Sequence, residues 1–466
     1  MGTGRSPWLA RACAIALAGV VLACGGGRTW AQGFQREIPL PSSIGQSLTA
    51  VQRSFAPPVL PPATLFPGAR STVPETMPAF FRDSLFEIAP RSYYRDNVKN
   101  APTKVTVSEA WAAGGSVEFQ SGRLFDLISG GAVFYTSLPL YAPAEWGNTG
   151  LLLPDQQGYA VVGQLYGQVH LPGQNTFTAG RYTYDTPFLG PQDNRMTPNT
   201  FYGYAVTGRA GDGESGPSFR YGGGYIAAIK QRDADTFISM SRAAGADADR
   251  GVGVAGGLMT WGPASLGAIE YFSQDTINIA YAEGKYALGL PFDAAAVLAV
   301  QYADQRSTGT SLLVPSGFAT GQFGSRLQAG ISTAILTFAY TAVGDGYAMQ
   351  NPWSSNPFYT DALILSYQRA GENALQLGLS YDLSPIGLKG VAAAVQYFTG
   401  WTSAPAAGAP LVESEWDFTL EWRPDWKPLS GLWLQARYGK ALTSQSDRTT
   451  TTDELRLVLN YKVRLY

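Results

Sequence analysis

The feature that most limits what this chain can fold into is a two-residue alternation of apolar and polar side chains, carried in short segments from about Ala79 to Tyr466. Leu375, Leu377, Leu379, Tyr381 and Leu383 are set against Gln376, Gly378, Ser380 and Asp382. Trp416, Phe418, Leu420 and Trp422 oppose Asp417, Thr419, Glu421 and Arg423. The last segment sets Leu455, Leu457, Leu459, Tyr461, Val463 and Leu465 against Glu454, Arg456, Asn460, Lys462 and Arg464. Successive side chains on a strand point to opposite faces, so each segment separates two solvents.

Which solvents they are follows from the rest of the chain. Arg5 and Arg11 precede an apolar run from Ala12 to Cys24, the pattern of an export signal, with cleavage expected after Ala31 and a weak lipoprotein-like box at Val21-Leu22-Ala23-Cys24 as the alternative. Both cysteines, Cys13 and Cys24, fall in this leader, so a chain cleaved after Ala31 has neither a disulfide nor a thiolate metal site. Removing Arg5, Arg11 and Arg28 from 33 bases leaves the 35 acids in excess, which is no footprint for nucleic acid. Beyond the leader no apolar run reaches the roughly 18 residues of a helical span. Charged residues are 15% of the chain, below the roughly 25% of ordinary globular domains, while Tyr alone contributes 25 residues. Tyrosine suits a membrane interface, with its ring in the apolar layer and its hydroxyl in water.

A soluble sandwich is the alternative, since its apolar faces would meet each other. Against it stand the export signal, the Trp and Tyr at segment ends, and a repeat that persists without a second texture. In a bilayer, unpaired backbone groups find no water, so a spanning sheet must close on itself. The expected fold is therefore all-β: a closed antiparallel transmembrane β-barrel of up-and-down topology in the bacterial outer membrane. The 386 residues from Phe81 onward give about 21 per strand and connection for 18 strands, and sixteen strands also fit. Residues 1–31 are read as signal peptide, 32–80 as a Pro-rich periplasmic extension and 81–466 as the barrel. Short turns are expected at Pro172-Gly173-Gln174-Asn175, Gly371-Glu372-Asn373 and Pro385-Ile386-Gly387. Long external loops are expected near 139–156, 185–199, 306–320, 342–358, 400–413 and 441–452.

The run Gly180-Arg181-Tyr182-Thr183-Tyr184-Asp185-Thr186-Pro187-Phe188-Leu189, continuing through Asp193-Asn194-Arg195-Met196-Thr197-Pro198-Asn199, resembles the OprD-type family of substrate-selective outer-membrane porins. Ala374 to Leu383, Ile386 to Gly390, Glu415-Trp416-Asp417, Pro428 to Leu432 and Asp453 to Leu457 follow in the family's order. The resemblance covers roughly 80–466, with 205–300 alike only in texture. It implies an 18-stranded monomeric barrel, a weak trimer being the alternative, whose third and seventh external loops fold inward. On that analogy 185–199 is the third loop and 306–320 a candidate for the seventh.

The resemblance also implies a ladder of basic residues on the lumen wall, facing acidic loop residues. Strand phase places Arg423, Arg437, Arg456 and Lys462 on the polar face. The guanidinium groups of the three arginines can grip a carboxylate with two bonds, and weak sites in series let a solute enter and leave. The plainer alternative is that they pair with Asp417, Glu421 and Glu454, with Lys462 and Arg464 at the periplasmic rim. Asp193 and Arg195 are candidates for an eyelet charge pair, or else for a turn clamp beside Pro198. The lone histidine, His170, lies near a strand end on the polar side, where a solvated rim residue is the simpler reading than a base activating Ser116 or Ser129. Gly253-Val254-Ala255-Gly256-Gly257, Gly130-Gly131 and Gly222-Gly223-Gly224 read as strand glycines relieving crowding, not as phosphate loops. The expectation is a channel without cofactor, metal or catalytic residues, whose partners are small carboxylate-bearing solutes and outer-membrane lipid. A wider general porin and a sealed surface-binding barrel are the rivals.

Overall fold

The computed structural model describes residues 63–64 and 76–465 except 212–215, 293, 403–410, 425, 427–428 and 447. The expected leader, 1–31, lies outside the described residues, as does the Pro-rich extension apart from 63–64 and 76–80.

Eighteen strands make the barrel: β1 (Leu85–Ala101), β2 (Lys104–Gln120), β3 (Ile128–Tyr141), β4 (Tyr159–Leu171), β5 (Asn175–Tyr182), β6 (Thr200–Ala210), β7 (Ser218–Lys230), β8 (Val252–Trp261) and β9 (Ala264–Ser273), followed by the second nine. These are β10 (Ile277–Leu290), β11 (Ala294–Arg306), β12 (Ala319–Ile331), β13 (Ala334–Val343), β14 (Glu372–Asp382), β15 (Val391–Thr402), β16 (Leu411–Trp422), β17 (Leu432–Gln445) and β18 (Arg448–Tyr461). Each pairs antiparallel with the next, and β18 pairs antiparallel with β1, Arg456 opposite Arg95, so the sheet has no free edge between them. Two-residue strands at 63–64, 238–239 and 463–464 extend the sheet at its ends. The count is eighteen, and the sixteen-strand alternative falls.

Closure explains the burial pattern. Trp416, Phe418, Leu420 and Trp422 are 47%, 46%, 51% and 36% exposed on the outer face, while Asp417, Thr419 and Glu421 between them are 2%, 7% and 1% exposed within. The alternation read from the sequence is thus an outside of lipid and an inside of protein and water. Where strands cross closely the wall has room only for glycine. A Cβ on Gly224 would stand 2.2 Å from the carbonyl oxygen of Tyr204, and one on Gly131 would stand 2.5 Å from the Tyr166 hydroxyl.

Several connections at the end where β1 begins and β18 ends are tight turns, as at 172–174, 262–263 and 332–333. At the other end lie the long ones: the second at 142–158, the third at 183–199, the fourth at 231–251, the sixth at 307–318 and the seventh at 344–371. Three expectations need correction. The 306–320 segment is the sixth connection and not the seventh, because β9–β10 turns within 274–276 and shifts the count. Gly371-Glu372-Asn373 closes the seventh loop and opens β14 at the long-loop end, where the backbone at Gly371 has φ 69°. The 441–452 stretch is a hairpin: β17 and β18 stay paired from Leu432–Tyr461 up to Gln445–Arg448. Its Thr-rich sequence extends the strands beyond the roughly ten residues a bilayer needs. The expected 400–413 loop falls largely on 403–410, outside the described residues.

Candidate functional site

The third and seventh loops turn into the barrel. Phe188 and Leu189 of the third loop and Trp353 and Phe358 of the seventh are buried with Ile269, Tyr271, Ile277, Ile279 and Tyr281 from the inner faces of β9 and β10. Phe188 is the centre, its ring meeting Tyr271, Tyr281 and Phe358 edge-on at 5.7, 6.1 and 5.9 Å. Trp353 donates its indole N–H to the Met240 carbonyl (3.1 Å) in a short helix, Met240–Ala243, of the fourth loop. The second loop also tucks inward, burying Leu151 and Leu152 beside Tyr93, Met196 and Trp433.

What remains of the lumen on the side of β16, β17, β18 and β1 is lined by charge. Register places Arg437 of β17 opposite Arg456 of β18, and Arg456 opposite Arg95 of β1, so three arginines form a row across three adjacent strands. Two of them are engaged. Arg95 grips Glu454 with two bonds, 3.0 and 2.8 Å, and donates to the Thr149 carbonyl (3.0 Å). Arg456 pairs with the same Glu454 and donates to the Leu363 carbonyl (2.8 Å). Arg437 has no ion-pair or hydrogen-bond partner among the described residues; its register partner on β16 is Thr419, flanked by Asp417 and Glu421.

The acids of β16 have a different occupation. Glu415 accepts the backbone N–H groups of Ile364 (2.7 Å) and Leu365 (2.8 Å), and Asp417 accepts that of Leu363 (3.0 Å). Glu413 pairs with Arg369, whose backbone N–H bonds Glu372 at 2.9 Å. A column of carboxylates therefore holds the returning limb of the seventh loop against the wall, Glu415 and Asp417 through backbone amides and Glu413 through the Arg369 guanidinium. This holds Asp361 over the arginine row. Asp361 is open to the lumen yet ringed by protein; that enclosure pushes its carboxyl up to about 7, against the opposing pull of its bond with Asn356 (2.6 Å) and of Arg456 and Arg437.

The candidates taken from the sequence separate into groups. Arg437 and Arg456 stand together inside the barrel. Arg423 and Lys462 lie at the short-turn end, Arg423 paired with Glu421 (2.7 Å) and 5.8 Å over the Trp433 ring. Asp193 and Arg195 do not pair with each other. Asp193 is gripped by Arg91 of β1, which also donates to the Arg195 carbonyl (2.6 Å). Arg195 is 7% exposed and donates to the Asn194 carbonyl (2.9 Å); burial, then Arg456 and Arg232, draw its basicity down. Arg91 and Arg95 were not singled out from the sequence, although Arg91, Tyr93, Arg95 and Asn97 follow the same two-residue phase. His170 and Ser129 meet at 2.7 Å near the short-turn end, with Thr176 at 3.4 Å on the other ring nitrogen and, among the described residues, no carboxylate in an orienting position.

The family model for the OprD family of outer membrane porins matches residues 78–465. Among solved structures, Pseudomonas aeruginosa OccK9 (OpdG) superposes with a TM-score of 0.74 at 20% identity, covering 83% of this chain and all of that one (100%). P. aeruginosa OpdK, solved with vanillate, gives 0.70 at 21%, covering 82% and 99%. A BenF-like porin from Pseudomonas fluorescens Pf-5 gives 0.72 at 18%, covering 83% and 100%. A comparison with curated protein sequences gives no match.

Proposed function

The chain belongs to the OprD family of outer membrane porins, and from that premise we propose that it admits small carboxylate-bearing solutes, guided along the row Arg437, Arg456 and Arg95. The observation that carries this reading is the state of Arg437. Its two neighbours in the row are occupied by Glu454 and loop carbonyls, whereas Arg437 keeps its donors for a passing anion. An open guanidinium fork binds a carboxylate with two parallel bonds, and the low-dielectric walls focus the field of the row. The engaged arginines contribute potential without a sticky contact, which suits a path where binding must be favourable enough to enter and weak enough to leave. Asp361, held across from them, opposes anion entry when charged and so limits the path to solutes that exchange well with Arg437. That a relative was solved with vanillate, a carboxylate, supports the class of solute.

Diffusion of this kind needs no cofactor. The test is a planar bilayer with potassium salts of small carboxylates, and liposome swelling with the same solutes. Arg437→Gln is expected to lower carboxylate flux about tenfold, the loss of one charged hydrogen-bonding site of about 1.5 kcal/mol, while chloride conductance stays within about twofold. A large conductance indifferent to charge in the parent protein would replace this reading with a general porin. Absence of both conductance and swelling would replace it with a sealed barrel.

A further inference from the structure

Around the wall from Arg437, Arg326 of β12 points into the barrel, its neighbour Leu327 being 44% exposed on the outside. Register sets Lys285, Ala299, Arg326 and Ala339 side by side on β10 to β13. The two alanines leave recesses on either side of the arginine, and Tyr359 of the seventh loop packs against both. The Arg326 guanidinium lies 4.3 Å over the Tyr359 ring. The Tyr359 hydroxyl donates to Glu283 (2.6 Å), and Glu283 pairs with Lys285 (2.7 Å). The local acid is therefore already spent on another cation.

Arg326 has no ion-pair or hydrogen-bond partner among the described residues, and its Nε is buried. Stacking on an aromatic ring satisfies the face of a guanidinium and leaves the in-plane N–H groups untouched. A buried N–H without an acceptor is costly, so this edge is poised for an oxyanion that the protein itself does not supply. We propose that Arg326 is a second anion-binding site in the lumen, taking the carboxylate of a small organic acid edge-on while Tyr359 fixes the guanidinium plane. This rests on the reading that such solutes traverse the barrel, and adds a site on the wall away from the arginine row. It makes the seventh loop part of a binding site as well as a constriction.

The plainer role for Arg326 is a lid that keeps Tyr359 in its recess, and the experiment separates the two. Current through single channels is titrated with benzoate in the parent protein and in Arg326→Gln, Arg437→Gln and Tyr359→Phe. Arg326→Gln is expected to raise the half-blocking benzoate concentration about tenfold with chloride conductance within about twofold of the parent. Tyr359→Phe keeps the ring under the guanidinium but frees Glu283 from the hydroxyl, and is expected to raise the half-blocking concentration by less than Arg326→Gln does. Should Arg326→Gln enlarge the conductance while the half-blocking concentration stays put, the arginine only holds the loop and the proposal is overturned. If Arg437→Gln alone shifts the block, the transport reading survives and this site does not. A parent channel blind to benzoate overturns both.

Discussion

The inner faces of β9 and β10 and those of β16 to β18 occupy the same phase of the same kind of strand, yet they face different media. On β9 and β10 the inward residues nearest the long-loop end are Ile269, Tyr271, Ile277, Ile279 and Tyr281, and loops three and seven fill the space before them with Phe188, Trp353 and Phe358. On β16 to β18 the inward residues include Glu413, Glu415, Asp417, Arg437, Glu454 and Arg456, beside the buried Trp433 and Val458. The first side is a protein core built inside a barrel, dry and held by packing. The second is a polar wall held by ions. What the contrast teaches is a division of labour: burial of aromatic surface places the loops in the lumen, and charge on the opposite arc lines the space they leave.

The sharpest way to break this comparison is to empty the packed side. Phe188→Ala removes a fully buried ring in contact with three others and should cost about 3–5 kcal/mol of loop packing, less whatever water recovers by entering the hole. The barrel, closed by backbone bonds, should survive with unchanged heat-modified mobility on gels. Conductance should rise and loops three and seven should become open to protease. A variant with parental conductance would mean that the packed side does not place the loops. A smaller effect is expected from the charged side. Glu415→Ala strands the amides of Ile364 and Leu365 and should loosen the returning limb of loop seven by about 2 kcal/mol. Single-channel records should then flicker between parental and wider levels, without the protease opening of loop three that Phe188→Ala produces.

The same contrast marks what the sequence could and could not disclose. On β16 the outward residues are apolar and the inward ones polar, so Trp416, Phe418, Leu420 and Trp422 against Asp417 and Glu421 already define both faces. On β9, Leu266 and Phe272 face out while Ile269 and Tyr271 face in, and periodicity cannot tell a lipid face from a plugged lumen. That is why the packed core had no signal of its own. Arg437 and Arg456 were reachable from strand phase. Their continuation into Arg95 and Arg91 was not, because only closure brings β1 beside β18. Asp417, grouped at first with acids that neutralise bases, instead accepts a loop amide, as does its neighbour Glu415; nothing in a strand's own sequence says which loop will land on it. Asp361 lies just beyond the expected loop at 342–358, and the loop runs on to 371 before β14 begins.

Asp361 supplies the smallest and most selective test, since it lies on the boundary between the two sides. Its carboxyl titrates near 7 because enclosure disfavours the charge more than Asn356, Arg456 and Arg437 restore it. A raised value means that the proton is held more firmly here than on a free aspartate, so the group is largely neutral at pH 6 and largely charged at pH 8. The sign for transport follows. Below 7 Asp361 no longer opposes the row of arginines and the reversal potential under a salt gradient should shift toward stronger anion preference; above 7 the new negative charge should weaken it. Asp361→Asn removes the titration and should hold the preference of the acid side at both values. If the pH response persists in that variant, the titrating group belongs elsewhere, and His170 at the short-turn mouth is the next to replace. A flat response in the parent would instead mean that Asp361 keeps its charge throughout this range, with lumen water screening the enclosure that the folded loop imposes.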